Sequence, residues 1–268
     1  MKLSKIYEII NTIAPKTLSD EYCANYGAYD NSGILVDTGE EIDKIVFSLD
    51  FSLSAIKKAV EEGAQLIVTH HPAIYGKISE ICVDAFDPLG EKLNLCIKNG
   101  VSVISMHLNL DCVKDGIDES LQKGLLNATK TASATTKIMH PVANGGYGRV
   151  YQVNETDFET LAENIQKEFS TKRLSVYKNN ARPIKKIASF CGAGADEETL
   201  RFAIEQKADI VISSDFKHHI LAWAREKGLS VIALTHYASE NYGYYQFYKK
   251  ISQNLSTPCI YYTDEELL

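Results

Sequence analysis

Long apolar runs are missing from this chain. No stretch approaches the ~18–20 apolar residues that a membrane span requires, so none is expected to cross a bilayer. The opening residues, MKLSKIYEIINTIAP, contain Glu8 and no extended apolar core, so they do not read as a secretory signal. Cysteine is sparse and scattered: Cys23, Cys82, Cys96, Cys112, Cys191 and Cys259 include no CxxC pair. In a chain of 268 residues that pattern argues against a disulfide framework and for reduced thiols in a cytoplasmic protein. Only six prolines and 24% charged residues argue against disorder. A basic excess is lacking too. The formal net charge of -7 disfavours a general nucleic-acid binder, which needs cations to neutralise phosphates. There is also no GxxxxGK[ST] loop to cradle a triphosphate.

What is present is a hydrophobic content of 45%, enough for one large core or two modest ones. Leu3–Ala14 has helical periodicity and stops at Pro15; a loop is expected to follow. Tyr29–Asp37 (YDNSGILVD) reads as a turn feeding a short strand. From there strands alternate with helices: KIVFSLD, then SLSAIKKAVEEG; QLIVTH, then DPLGEKLNLCIKNG; then VSVISMH. About Gly145–Ile184 reads as strand, helix (Asp157–Phe169) and strand. The alternation resumes with KKIASFCG, DEETLRFAIEQK, DIVISSD, HHILAWAREKG and LSVIALTH, before a final helix near Ser239–Asn254 and the strand CIYYTD. Fully apolar strands spaced by amphipathic helices define an α/β fold with mostly parallel sheets covered on both faces.

The two halves repeat each other. Glu61–His71 (EEGAQLIVTHH) aligns without gaps on Glu205–Asp215 (EQKADIVISSD), and Lys98–His107 (KNGVSVISMH) aligns on Glu226–Thr235 (EKGLSVIALT). Two similarities in the same order point to a duplication, hence two similar α/β lobes, 1–127 and 128–268.

Ligands of open α/β sheets bind beyond the carboxyl ends of the strands, and the histidines collect there. Of seven, six (His70, His71, His107, His218, His219 and His236) fall at or just after the end of an expected strand. Carboxylates accompany them: Asp111 after His107, Asp215 before His218 and His219, Glu240 after His236. Mixed imidazole and carboxylate donors suit divalent zinc, iron, manganese or nickel. His236 and Glu240 are four residues apart, so on a helix they share one face and can meet one ion; the spacing equally fits a plain surface pair. Adjacent residues on a strand point to opposite faces, but a turn at Pro72 would let His70 and His71 converge. Otherwise one is a core histidine beside an exposed one. Asp111 fits either a bridge between two ions or an ordinary turn cap. A shared site explains all the clusters at once. Three histidines and two acids, with water, fit a pair of ions bridged by carboxylate.

The motifs DNSGILV, THHPAIYG, SMHLNLD, SSDFKHH and THYASE occur in the order seen in the NIF-three-like dinuclear-metal family, whose bacterial members often carry the label type-two GTP cyclohydrolase homologue. The chain resembles that family from about Asp30 to the final helix. The resemblance implies His70, His71, Asp111, His236 and Glu240 as ligands of two divalent metal ions per subunit (zinc, iron or manganese), with Asp111 and Glu240 bridging. It implies roles near the substrate for His107, Asp215 and His219. Two departures stand out: Leu108 occupies a position that is usually threonine, and the doublet His218–His219 leaves two candidates for one role. The short central segment resembles the compact members without an inserted domain. The resemblance further implies a metal site between the two lobes and a ring-like homohexamer.

The chemistry so implied is hydrolytic. Metal-activated water would open the imidazole ring of the guanine in GTP and release formate, with His107, His219 or Asp215 as acid or base. A phosphoester hydrolase and a non-catalytic metal-binding adaptor or metal-handling protein are the alternatives. Cys191–Thr199 (CGAGADEET) is the one glycine-containing turn of interest, but Asp196, Glu197 and Glu198 already occupy its helix start, favouring an ordinary capped turn. Five of the tyrosines lie in Tyr237–Lys250, a stripe expected at a subunit interface rather than against nucleic acid.

Overall fold

The computed structural model describes residues 1–78, 80–83 and 86–268. The chain forms two compact units, one of Met1–Val113 with Tyr244–Thr263, the other of Lys114–Gly243 with Asp264–Leu268.

The first unit begins with α1 (Leu3–Ile13) and α2 (Lys16–Tyr26). The second of these stands where a loop was expected. Pro15 ends α1 and then serves as the N-cap of α2, while Asn11 Oδ1 accepts the Lys16 N–H across 2.8 Å. Proline is tolerated at a helix start because its missing N–H would have no partner inside the helix. There follow β1 (Gly33–Val36), β2 (Ile45–Ser48), α3 (Leu53–Glu61), β3 (Leu66–Thr69), α4 (Leu89–Lys98), β4 (Ser102–Ser105) and the single turn α5 (Leu108–Cys112).

The second unit contains α6 (Ile117–Ala128), β5 (Thr136–Val142), β6 (Gly145–Thr156), α7 (Phe158–Glu168), β7 (Leu174–Tyr177), β8 (Ile184–Ser189), α8 (Glu197–Glu205), β9 (Ile210–Ser213), α9 (His218–Glu226) and β10 (Ser230–Leu234). The last helix, α10 (His236–Asn254), opens in this unit, and its residues from Tyr244 onward belong to the first, as does β11 (Cys259–Tyr262).

Among the described residues the first sheet has the order β1-β4-β3-β2-β11, parallel except for β1. The second has the order β5-β6-β8-β9-β10-β7, with β8, β9 and β10 mutually parallel and β5, β6 and β7 antiparallel to their neighbours. Both are α/β sheets. β2, β3, β4 and β9 are buried along their whole length, which is why they read as continuous apolar runs. In the first unit Val46, Ile56, Ile67, Leu93 and Val103 pack together; in the second Val150, Phe190, Leu200, Val211, Ile220 and Val231 do so. Each such side chain contributes about 1.5–3 kcal/mol by leaving water.

The duplication is visible in how the helices stop. After α3, Gly63 takes φ 63° and the Ala64 N–H closes on Ala59 O. After α8, Lys207 takes φ 57° and the Ala208 N–H closes on Ala203 O. The next helices repeat it, Gly100 (φ 66°) with Val101 N–H on Cys96 O, and Gly228 (φ 65°) with Leu229 N–H on Ala224 O. Each is the left-handed helix stop that feeds directly into a strand. Three tyrosines of α10 bond within the chain: Tyr244 is buried and donates to Val68 O, Tyr242 donates to Glu168, and Tyr248 donates to Cys259 O, while Tyr245 is exposed. No helix among the described residues is long and apolar enough to cross a membrane.

Candidate metal centre

In the first unit the chain turns sharply beyond β3. The N–H groups of His70 and His71 both donate to Leu49 O, each across 3.0 Å, and Thr69 Oγ1 donates to His71 O. The turn brings both imidazoles to one side, their centroids 4.8 Å apart. His107 follows β4 and caps α5, whose first hydrogen bonds run from Leu110 and Asp111 N–H to His107 O. That turn carries Asp111 back toward His70, with Asp111 Oδ1 lying 3.5 Å from His70 Nε2. His70, His107 and Asp111 offer ligand atoms within 4.8 Å of one another, enough to hold an ion. His70 and Asp111 are buried.

One pattern governs the imidazoles. His70 Nδ1 lies 2.8 Å from Met106 O, His71 Nδ1 2.6 Å from Asp50 Oδ1, and His107 Nδ1 2.8 Å from Asp30 Oδ1. A carbonyl or ionised carboxylate only accepts, so each partner places a ring proton on Nδ1 and fixes which way Nε2 points. Metal-binding histidines are oriented in this way. Asp30 is held in turn by the hydroxyls of Ser19 (2.5 Å) and Ser32 (2.6 Å). Burial pushes its carboxyl up, but the bond to His107, that ring's charge and the two hydroxyls outweigh it, so Asp30 stays well below the usual carboxylate range. Burial pushes His107 down, but the bond to Asp30 and the charges of Asp111 and Asp30 prevail, and its pKa is raised.

In the second unit His236 opens α10, and Glu240 lies one turn on, buried. His236 Nε2 is 3.1 Å from Glu240 Oε2, and its Nδ1 is 2.5 Å from Asp215 Oδ2, so the ring assignment is the same. Asp215 adopts φ 54°, a left-handed conformation that aspartate tolerates. Behind Glu240 lies the Cys191–Ala195 turn. Gly192 (φ 56°) donates its N–H to Ser239 Oγ across 3.1 Å and accepts from the Ser214 hydroxyl. A Cβ on Gly192 would stand 2.1 Å from Glu240 Oε1 and 3.2 Å from His236 Nε2. The turn ends in a capping box between Asp196 and Thr199, so its helix start is satisfied by the chain itself.

These donor sets fit metal ions. In each unit an imidazole Nε2 lies close to a carboxylate oxygen, His70 Nε2 at 3.5 Å from Asp111 and His236 Nε2 at 3.1 Å from Glu240. Imidazole with carboxylate suits a borderline divalent ion. His219 behaves differently: it is exposed, and its described partner is Glu197, 3.7 Å away. His218 lines a separate surface cavity with Tyr177 and Arg225. Asp215 serves the His236 ring. Asp30 and Asp50, which hold His107 and His71, escaped the sequence reading. Asp50 follows β2 as Asp215 follows β9, so its place at a strand end is legible in the sequence, whereas Asp30 lies in the loop before β1.

Fold and donor chemistry define a class, an α/β protein with histidine–carboxylate clusters at strand ends that could hold metal ions. The model of the family Duf34/NIF3 (NGG1p interacting factor 3) matches residues 1–264, and the chain belongs to that family. It is 32% identical over 262 residues to a "GTP cyclohydrolase 1 type 2 homolog" of Methanocaldococcus jannaschii, covering 97% of this chain and 98% of the relative. A Helicobacter pylori protein named "GTP cyclohydrolase 1 type 2" is 28% identical over 239 residues, 89% of this chain and 86% of that one. Among solved structures, reduced HcgD from Methanocaldococcus jannaschii superposes with a TM-score of 0.81 at 33% identity, covering 97% of both chains.

Proposed function

We propose that this protein is a metal-dependent hydrolase carrying two divalent ions per chain and acting on GTP in the manner of a type-two GTP cyclohydrolase. The observation that carries the metal reading is the shared orientation of four imidazoles. His70, His71, His107 and His236 each have Nδ1 against an acceptor, which fixes the ring and leaves Nε2 of His70, His71 and His236 as the proposed ligand atom. The substrate comes from the names of the relatives.

The proposed ligands are His70, His71, Asp111, His236 and Glu240. When bound, the ions would supply Lewis acidity and draw the pKa of a water molecule toward neutrality. The remaining work falls to the chain. Met106 O, Asp50 and Asp215 keep the ligand rings in one tautomer and one orientation. Asp30 holds the His107 ring beside His70 and Asp111, and the two carboxylates raise its pKa, which favours the protonated imidazole. In the reaction His107 would deliver this proton to the leaving nitrogen as the guanine imidazole ring opens. Asp215 is a positioning residue in this reading, which assigns no step to the exposed His219.

The test is turnover. Protein loaded with iron, zinc or manganese is incubated with GTP, and formate is measured with the change in purine absorbance. Formate release that is lost in His107→Ala while both ions are retained supports the reading. No formate with any of the three metals contradicts the cyclohydrolase assignment.

A further inference from the structure

Two exposed tyrosines stand beside the histidines of the first unit. Tyr29 immediately precedes Asp30, the residue that holds His107, and Tyr75 lies four residues beyond His71. They are 56% and 58% exposed. Their ring centroids are 5.6 Å apart with the planes at 80°, and the Tyr75 ring lies 6.5 Å from the His107 imidazole. Their positions are built. Asn31 Nδ2 donates to Ile74 O across 2.6 Å, tying together the two loops that carry the rings at the residues next to them. Asp30, between Tyr29 and Asn31, is itself fixed by Ser19, Ser32 and His107.

Two rings at nearly a right angle form a corner. A third planar ring laid parallel to one meets the other edge-on, and both arrangements are favoured by the aromatic quadrupole. Stacking of this kind accepts any flat, conjugated heterocycle and needs no hydroxyl from the protein. The corner also adjoins the His107 imidazole, 6.5 Å from the Tyr75 ring. We infer that Tyr29 and Tyr75 bind the planar nitrogen heterocycle of the substrate, a purine in the GTP reading, and set its ring beside His107. The inference rests on the reading of this cluster as the reacting centre and supplies its base-binding surface. The tyrosines are positioning residues; neither exchanges protons or electrons with the ring.

The experiment is calorimetric binding of guanosine, GTP and inorganic triphosphate to the full chain, with ions counted in each preparation. Tyr29→Phe and Tyr75→Phe keep the ring and are expected to bind guanosine within about two-fold of the parent protein. Tyr29→Leu and Tyr75→Leu remove it, and each is expected to weaken guanosine about ten-fold, in line with the cost of losing one stacked aromatic. Triphosphate binding and ion content should not change. Leucine variants with undiminished guanosine affinity would overturn the inference. So would phenylalanine variants as weak as the leucine ones, or an equal loss of triphosphate binding. Parent protein that holds its ions but binds no guanosine sinks the stacking corner and spares the metal reading. Parent protein that binds guanosine but takes up no ions does the reverse.

Discussion

Asp30 and His107 act as one partly buried unit, with Nδ1 donating to Oδ1 across 2.8 Å while the other carboxylate oxygen takes the hydroxyls of Ser19 and Ser32. The carboxyl is held low and the imidazole high. The signs give a pH window for the metal-free protein. The depressed carboxyl stabilises the fold above about pH 4, its unfolded value, and loses that contribution as pH falls toward its folded value. The raised imidazole stabilises it fully below about pH 6.5 and loses that contribution as pH rises through its folded value. Asp30→Asn should therefore cost most stability between about pH 4 and 6.5, measured by urea unfolding. In the same variant the His107 pKa, followed by NMR, should drop, because burial then acts with less opposition.

Asp215 holds His236 in the same manner, at 2.5 Å, but is half exposed. Asp215→Asn should leave the fold intact and weaken ion binding about 10–100-fold, the usual cost of losing a partner that orients a ligand ring. His219→Ala should leave ion affinity unchanged, since His219 is exposed and described only beside Glu197. Metal titration of the two variants separates the roles.

Gly192 has no room for a side chain. Gly192→Ala would place Cβ 2.1 Å from Glu240 Oε1 on a residue with φ 56°. The left-handed conformation alone costs about 1–2 kcal/mol for a residue with a Cβ. The contact adds to this by displacing Glu240. Lower unfolding stability together with reduced ion uptake is the expected result.

Asp118 and Arg149 form a buried pair at 2.8 Å, and the same carboxylate accepts the N–H groups of Gly148 and Cys191 at 3.1 and 3.3 Å. Asp118→Ala leaves a guanidinium that is only 4% exposed with Gly146 O at 3.2 Å and Glu119 at 3.9 Å in place of its closest carboxylate. A loss of about 3–5 kcal/mol is expected by denaturant unfolding. Replacing both partners with apolar residues should cost less, since no charge is then left buried.

The sequence carried the repeat well because the signal is local. Apolar runs such as Leu66–Thr69 and Ile210–Ser213, each behind a left-handed helix stop, mark both units before any contact is known. It said nothing of α6, whose N-cap is Gly116 without a capping side chain and whose buried Asp118, Ser120 and Gln122 blur the apolar stripe. That β11 pairs with β2 was equally hidden, since the strand CIYY reads the same whichever sheet receives it. At the candidate site, histidine and carboxylate at strand ends stood out by type and position. Asp30 and Asp50 did not, because their function lies in which ring nitrogen they touch, and that depends on loops folded against one another.

The central claim is that these imidazoles and carboxylates bind metal, and anomalous scattering from crystals of fully loaded protein tests it most directly. Two peaks per chain are expected, within coordination distance of Nε2 of His70, His71 and His236 and of the carboxylates of Asp111 and Glu240. Loaded crystals with no anomalous peak at any of these atoms would contradict it.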